Sequence, residues 1–164
     1  MKVVMDPATP QEAANDSRIL VFGRLIGAAN RLEYILGRSL EEEVGLSHTL
    51  FELLLVVGRA GEGGVPVRDI AQARVLTSGG ATRLVQRAAE LGLIERGTSR
   101  QDARVQLIKL TSKGADLLVR ASAVHARNVE KYLIAVLPAD QAVVFADAIR
   151  ALSVNAAKNI PVMP

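Results

Sequence analysis

The residues best suited to chemistry lie on one face of a segment near the middle of the chain. In residues 78–91, Ala81, Leu84, Ala88 and Leu91 recur in steps of three and four, which predicts a helix with these residues on its core side. The opposite side, its flank and its start carry groups suited to nucleic acid: Thr77, Ser78, Gly79, Thr82, Arg83, Gln86 and Arg87. Glu90 lies on the same side. Arg can pair with guanine and Gln with adenine, and Thr can bond a phosphate or touch a thymine methyl. This face favours DNA recognition in the major groove, although an ordinary solvated helix face has similar residues.

Two consecutive glycines, Gly79 and Gly80, open this helix. Glycine in a helix costs about 1 kcal/mol relative to alanine, so the pair needs a reason. Close approach of the backbone to a DNA strand is one such reason. A phosphate-binding nucleotide loop is excluded because no Gly-Lys-Ser/Thr follows.

A second group of basic residues follows in a predicted β-hairpin. Residues 93–96 and 105–110 read as two strands, and the polar residues 97–104 join them. Arg100 and Arg104 would reach the phosphates or the minor groove beside the helix. Asp102 cannot favour DNA directly, so we expect it to orient an Arg of the same hairpin by a charge-assisted hydrogen bond. Taken alone, a charged hairpin tip fits plain solvent exposure equally well.

The elements around these segments predict the fold. A helix runs from Asp16 or Ser17 to Gly45, and Ser47 fits an N-cap for a second helix to about residue 60. A short extended piece at 65–67, a short helix at 68–74 and the candidate helix follow. After the hairpin, Thr111 caps a helix over 112–137, and Pro138 starts a last helix to about residue 158.

Two tightly joined helices followed by a two-stranded wing define the winged variant of the helix-turn-helix. We therefore predict a mainly α fold with a small β-wing. The flanking helices are too long for that lobe, so their apolar stripes indicate a homodimer built from both chain ends. The predicted organisation is a loose arm (1–15), an N-terminal dimerisation helix (16–46), a winged helix-turn-helix DNA-binding lobe (47–111) and C-terminal dimerisation helices (112–164).

Composition and charge exclude several classes of protein. The absence of cysteine excludes disulfides, thiol chemistry and thiolate zinc sites. No long apolar run predicts a membrane span, and the first residues do not resemble a signal peptide, so we expect a cytoplasmic protein. The net charge is only +3, but residues 63–104 contain seven Arg, no Lys and four acids. This Arg bias suits DNA contacts, and an Arg-rich proteome would also produce it.

Other readings of the sequence remain as alternatives. No nucleophile and base are spaced for catalysis, so we expect no enzyme and no cofactor. Glu41–Glu43 point in different directions on a helix and predict no metal site. His48 beside Phe51 is a candidate ligand pocket, against a surface or capping role. The same lobe could instead bind a protein partner, or bind DNA without regard to sequence, although its polar face argues against the first and the modest charge against the second.

Several motifs together resemble the MarR family of bacterial transcription regulators. They are Thr77-Ser78-Gly79-Gly80-Ala81-Thr82-Arg83-Leu84-Val85, Leu91-Gly92-Leu93-Ile94-Glu95-Arg96, Asp102-Ala103-Arg104 and Leu110-Thr111-Ser112-Lys113-Gly114. The resemblance implies a homodimer on palindromic double-stranded DNA, with Asp102 and Arg104 in the wing. It also implies a repressor released by a small-molecule effector. Some relatives sense oxidants through cysteine, which this chain lacks.

Overall fold

The computed structural model describes residues 9–98 and 105–160 of the 164-residue chain. The helices and strands follow one another in this order: α1 (Pro10–Ala14), α2 (Ser17–Val44), α3 (His48–Ala60), β1 (Val65–Pro66), α4 (Val67–Ala73), α5 (Ser78–Glu90), β2 (Ile94–Thr98), β3 (Gln106–Leu110), α6 (Ser112–Val129) and α7 (Ala142–Asn159). A single 3₁₀ turn (Gly61–Gly63) follows α3, and a π-helical turn (Glu130–Ile134) follows α6. The predicted wing residues Arg100, Asp102 and Arg104 lie outside the described residues.

The chain divides into two compact units, with the boundary inside α2 after Ile35. In the first unit, residues 10–14 form a helix, so the expectation of a loose arm is wrong for them. Thr9 Oγ1 accepts from the Glu12 amide at 3.1 Å, and the Glu12 carboxylate accepts from the Thr9 amide at 3.2 Å. This capping box, together with Pro10 at the first helical position, outweighs the general tendency of prolines to break helices.

The second unit has its core around α3. Fully buried aliphatic side chains and one aromatic ring come from five helices and the sheet: Leu40, Phe51, Leu53, Leu54, Ile70, Val85, Ile108 and Ala121. Leu40 belongs to α2 and Ala121 to α6, so both helices that were assigned to dimerisation also contribute to this core. The winged lobe therefore needs parts of both for its stability.

The wing is an antiparallel sheet of three strands in the order β1-β3-β2. Ile94 pairs with Leu110 and Thr98 with Gln106, which confirms the predicted hairpin. The segment at 65–66, predicted only as extended, joins as a third strand, with Val65 opposite Ile108. Pro66 is tolerated there because β1 pairs on one side only, so its missing N–H breaks no ladder.

Two boundaries near the carboxyl end differ from the prediction. The helix predicted over 112–137 is α-helical only to Val129, and the π-helical turn follows it. The last helix begins at Ala142 and not at Pro138, because the Gln141 amide donates to the Pro138 carbonyl at 2.8 Å and closes a turn first. Ser47 does stand at the N-cap of α3, but its side chain makes no capping hydrogen bond.

Within the described ranges, no single helix is both long and apolar enough to cross a membrane. Only Ser17–Val44 and His48–Gly63 taken together, bent by 84° at their junction, meet that criterion of length and composition.

Candidate nucleic-acid interface

A tight turn joins α4 to α5 and sets the angle between them. Arg74 ends α4, and Val75 follows in the left-handed conformation with φ of 51°. The Leu76 amide then donates to the Ala71 carbonyl at 2.9 Å, which closes the end of α4. A β-branched residue in this conformation costs about 1–3 kcal/mol, so the surrounding packing must hold the turn in place.

The start of α5 is capped by its own chain. Thr77 has extended backbone angles, and its Oγ1 accepts from the Gly80 amide at 3.2 Å. A Cβ on Gly80 would lie 3.2 Å from that same oxygen, so the cap itself favours glycine there. A Cβ on Gly79 would meet nothing within 4 Å among the described residues. Intrachain crowding therefore gives no reason for Gly79, whose outer surface is open to a ligand.

All seven predicted DNA-contacting residues of α5 and its cap are exposed: Thr77, Ser78, Gly79, Thr82, Arg83, Gln86 and Arg87. The buried side consists of Ala81, Val85 and Ala88. Leu84 is half-buried and packs against the core, as predicted, whereas the assignment of Leu91 to the core side is wrong, because Leu91 is 44% exposed. Leu91 is the C-cap, so helical periodicity no longer determines where its side chain points.

Some hydrogen-bonding groups on this exposed face already have a partner in the described chain, and others do not. The Thr82 hydroxyl donates to the Ser78 carbonyl at 2.9 Å. Arg83 and Arg87 make no ion pair or side-chain hydrogen bond within the described part of the chain. Their guanidinium donors remain available to an incoming acceptor.

Gln86 is held by two neighbours, Arg96 and Glu90, and neither contact was predicted from the sequence. Its Oε1 accepts from Arg96 Nη2 at 3.0 Å, and its Nε2 donates to Glu90 Oε1 at 3.0 Å. The contact with Arg96 links α5 to β2 of the wing. The four-residue spacing of Gln86 and Glu90 was a detectable signal, because such pairs are neighbours on a helix surface.

The Leu-Thr-Ser-Lys-Gly motif fastens the end of α5 to the start of α6. Lys113 Nζ donates to the Leu91 carbonyl at 2.8 Å, and Thr111 Oγ1 donates to the Gly92 carbonyl at 2.7 Å. The same Thr111 oxygen accepts from the Gly114 amide at 3.0 Å and so caps α6. A Cβ on Gly114 would lie 1.9 Å from the Leu93 carbonyl oxygen, so only glycine allows this approach.

The candidate ligand-pocket residues His48 and Phe51 meet His125 between α3 and α6. The His125 ring stacks on His48 at 5.7 Å and lies 4.8 Å from the Phe51 ring. Burial, and secondarily the charge of His48, lowers the pKa of His125. Glu52 Oε2 lies 3.8 Å from His48 Nδ1, and the Glu52 carboxylate forms an ion pair with Arg74. Arg74 stands at the end of α4, so these contacts extend from the rings to the turn before α5. Among residues 9–98 and 105–160, no group of three His, Asp or Glu side chains is placed to hold a metal.

A short helix, a tight turn, an exposed second helix and an antiparallel wing define a winged helix-turn-helix protein. A sequence model described as the MarR family matches residues 44–105, which include α3, α4, α5 and β2. This match agrees with the family that the motifs of the chain resemble. No curated protein sequence matches the chain.

Three solved structures share the fold beyond the lobe. Sco3205 from Streptomyces coelicolor, solved in complex with DNA, is 23% identical and has a TM-score of 0.75, with 92% of this chain and 91% of that chain covered. A mutant MarR from E. coli complexed with operator DNA is 21% identical and has a TM-score of 0.71, with 82% of this chain and 95% of that chain covered. CouR from Rhodococcus jostii RHA1, bound to p-coumaroyl-CoA, is 22% identical and has a TM-score of 0.71, with 91% of this chain and 96% of that chain covered. These likenesses confirm the predicted fold class.

Proposed function

We propose that the protein is a sequence-specific DNA-binding transcription regulator that represses transcription as a homodimer. The observation that carries this proposal is the exposed face of α5, where Arg83 and Arg87 have no partner in the described chain and the surface of Gly79 is open. Arg offers bidentate donors for guanine or phosphate, and a bare backbone permits close approach. The proteins of known structure that bind DNA through this fold, Sco3205 and MarR, support the same role.

A second copy of the chain is the partner that best explains the flanking helices. None of the residues of α7 is buried, and Val143, Val144 and Leu152 are more than half exposed. In the first unit, Ile19, Val21 and Phe22 on α2 are exposed to a similar degree. Large exposed apolar surfaces mark interfaces, and a two-fold dimer covers the same surface on both chains. The two recognition helices would then read half-sites about 10 bp apart.

We assign the wing its role from the sequence alone. Arg100 and Arg104 contact phosphates or the minor groove, and Asp102 orients one of them. These contacts would position the dimer on the duplex without selecting a sequence. Such a protein works in the cytoplasm, where bacterial DNA lies, and needs no catalytic group.

A small-molecule effector would act through the distance between the two recognition helices. A ligand that binds better to a dimer with the wrong separation lowers the affinity for DNA by its difference in binding free energy. His48 and Phe51 are the candidate ligand contacts, and CouR bound to p-coumaroyl-CoA is a precedent for an effector on this fold.

Selection of bound duplexes from a random DNA library by the purified protein tests the proposal. A palindromic consensus with half-sites about one helical turn apart is expected. Recovery of all sequences alike would indicate an architectural DNA binder. No recovery even at low salt would indicate a winged helix that binds proteins.

Arg83→Ala tests base reading within that experiment. We expect a loss of about 1–3 kcal/mol on the selected sequence and a relaxed preference at one position of each half-site. Arg104→Ala should weaken binding to all sequences alike and reduce the salt dependence. Arg120→Ala, which removes the same charge from an exposed position of α6, is the control and should keep the base preference. Unchanged binding by both Arg83→Ala and Arg104→Ala would contradict the proposal.

A further inference from the structure

Glu90 lies on the exposed side of α5, where a DNA-binding surface gains nothing from a negative charge. An acid near phosphates weakens binding, so Glu90 needs another role on this face. Its carboxylate accepts a hydrogen bond from Gln86, one turn earlier on the same helix. The contact suggests that Glu90 acts on Gln86 and not on DNA.

The two neighbours of Gln86 fix which end of its amide is which. The Arg96 guanidinium can only donate hydrogen bonds, and an ionised Glu90 can only accept them. The side-chain amide therefore has one orientation that satisfies both, with Oε1 toward Arg96 and Nε2 toward Glu90. The flipped amide would place acceptor against acceptor and donor against donor.

The hydrogen-bonding groups of the Gln86 amide that Arg96 and Glu90 leave unused match one base. After these two bonds, Oε1 keeps one lone pair and Nε2 keeps one hydrogen. Adenine presents an N6 donor and an N7 acceptor in the major groove, which is the complement of this pair. Guanine presents two acceptors on the same edge, so it cannot satisfy the amide oxygen.

We propose that Glu90 and Arg96 are positioning residues that hold Gln86 in the orientation that reads adenine in each half-site. The inference rests on the proposed DNA-binding function. It also gives the wing a part in base selection, because Arg96 belongs to β2 and reaches the recognition helix from there. Gln86 then enters the groove already ordered, so it loses less side-chain freedom on binding.

Glu90→Gln is the decisive variant, because it keeps the size of the side chain and removes the constraint on Nε2, so that Arg96 alone holds the Gln86 amide. The change removes a negative charge, so affinity for unrelated DNA should stay the same or rise. Preference for adenine over the other bases at one position of each half-site should fall about two- to tenfold, the effect of immobilising one side chain. A loss of affinity from misfolding would instead weaken binding to all sequences, and thermal unfolding of the variant checks for it.

Matched variants separate positioning from charge. Glu95→Gln makes the same charge change at an exposed position of β2 and should leave the adenine preference intact. Arg96→Lys keeps a donor and should retain much of the preference, whereas Arg96→Met should lose it. Gln86→Ala should abolish the preference, and adding Glu90→Gln to that variant should change it no further.

Two results would overturn the inference while leaving the proposed function in place. One is an adenine preference that survives Gln86→Ala, and the other is a Glu90→Gln variant whose base preference equals that of the parent. A parent protein that selects no DNA sequence at all would instead overturn the proposed function, and this inference with it.

Discussion

At the scale of single residues, the contacts of His125 make stability depend on pH. Its ring packs on Phe51 and His48, and Glu52, which forms an ion pair with Arg74, lies beside His48. Burial, and then His48, lowers the pKa of His125 below its ordinary value of about 6.5. The unfolded chain therefore takes up a proton at a higher pH than the folded chain does. Stability attributable to this residue is present above about pH 6.5 and is lost as the pH falls.

We expect His125→Phe to reduce this pH dependence, because the ring contacts remain and the titration disappears. Thermal unfolding, followed by circular dichroism between about pH 7.5 and about pH 5.5, measures it. The melting temperature of the parent should fall more over that range than that of the variant. His48→Gln is the companion variant, since it removes the secondary cause of the shift. Parallel curves for the parent and His125→Phe would show that His125 does not control the pH response.

The exposed residues of the recognition helix could be predicted from sequence because helical periodicity assigns a side to each position. The contacts among them could not. Arg96 reaches Gln86 only because β2 returns alongside α5, and no local pattern gives that distance. Likewise, His125 meets His48 through the packing of α6 on α3, although the two lie far apart in sequence. Tertiary contacts of this kind decided which polar groups are free and which are bound to one another.

At the scale of elements, hydrogen-bonding signals predicted the ends of helices well when they were local. Thr111 caps the helix expected of it. The short helix α1 was missed because the Thr9–Glu12 capping box at its start was not recognised in the sequence. Strand β1 was recognised only as extended, because its pairing with β3 depends on a partner about 40 residues later in the chain.

The joint between α5 and α6 should be intolerant of any side chain at Gly114. We expect Gly114→Ala to destabilise the protein by about 1–3 kcal/mol or more, because the added carbon would collide with the Leu93 carbonyl. Chemical denaturation measures the loss. Gly79→Ala is the matched control, since a Cβ there meets nothing within 4 Å and favours the helix. Equal stability of Gly114→Ala and the parent would mean that this approach of α6 to β2 relaxes easily.

At the scale of the whole molecule, the two units differ in how much apolar surface they bury. The second unit has a closed core around α3, whereas none of the described residues of the first unit, 9–35, is buried. Helix α7 belongs to the second unit and is likewise without a buried residue. Amphipathic helices gain most of their stability from packing, so residues 17–35 of α2 and the whole of α7 depend on a surface that the described residues of one chain do not supply.

Leu152→Glu tests whether a second chain supplies that surface. Leu152 is 55% exposed on α7, so a charge there costs the single chain little, whereas burying it in a dimer would be expensive. We expect sedimentation velocity to show a species with the mass of one chain, and the affinity for the palindromic site to fall toward that for a single half-site. Arg150→Glu places the same residue on the opposite side of α7 and should remain dimeric. A Leu152→Glu protein that stays dimeric would exclude this face of α7 from the interface and leave α2 as the remaining apolar surface to test.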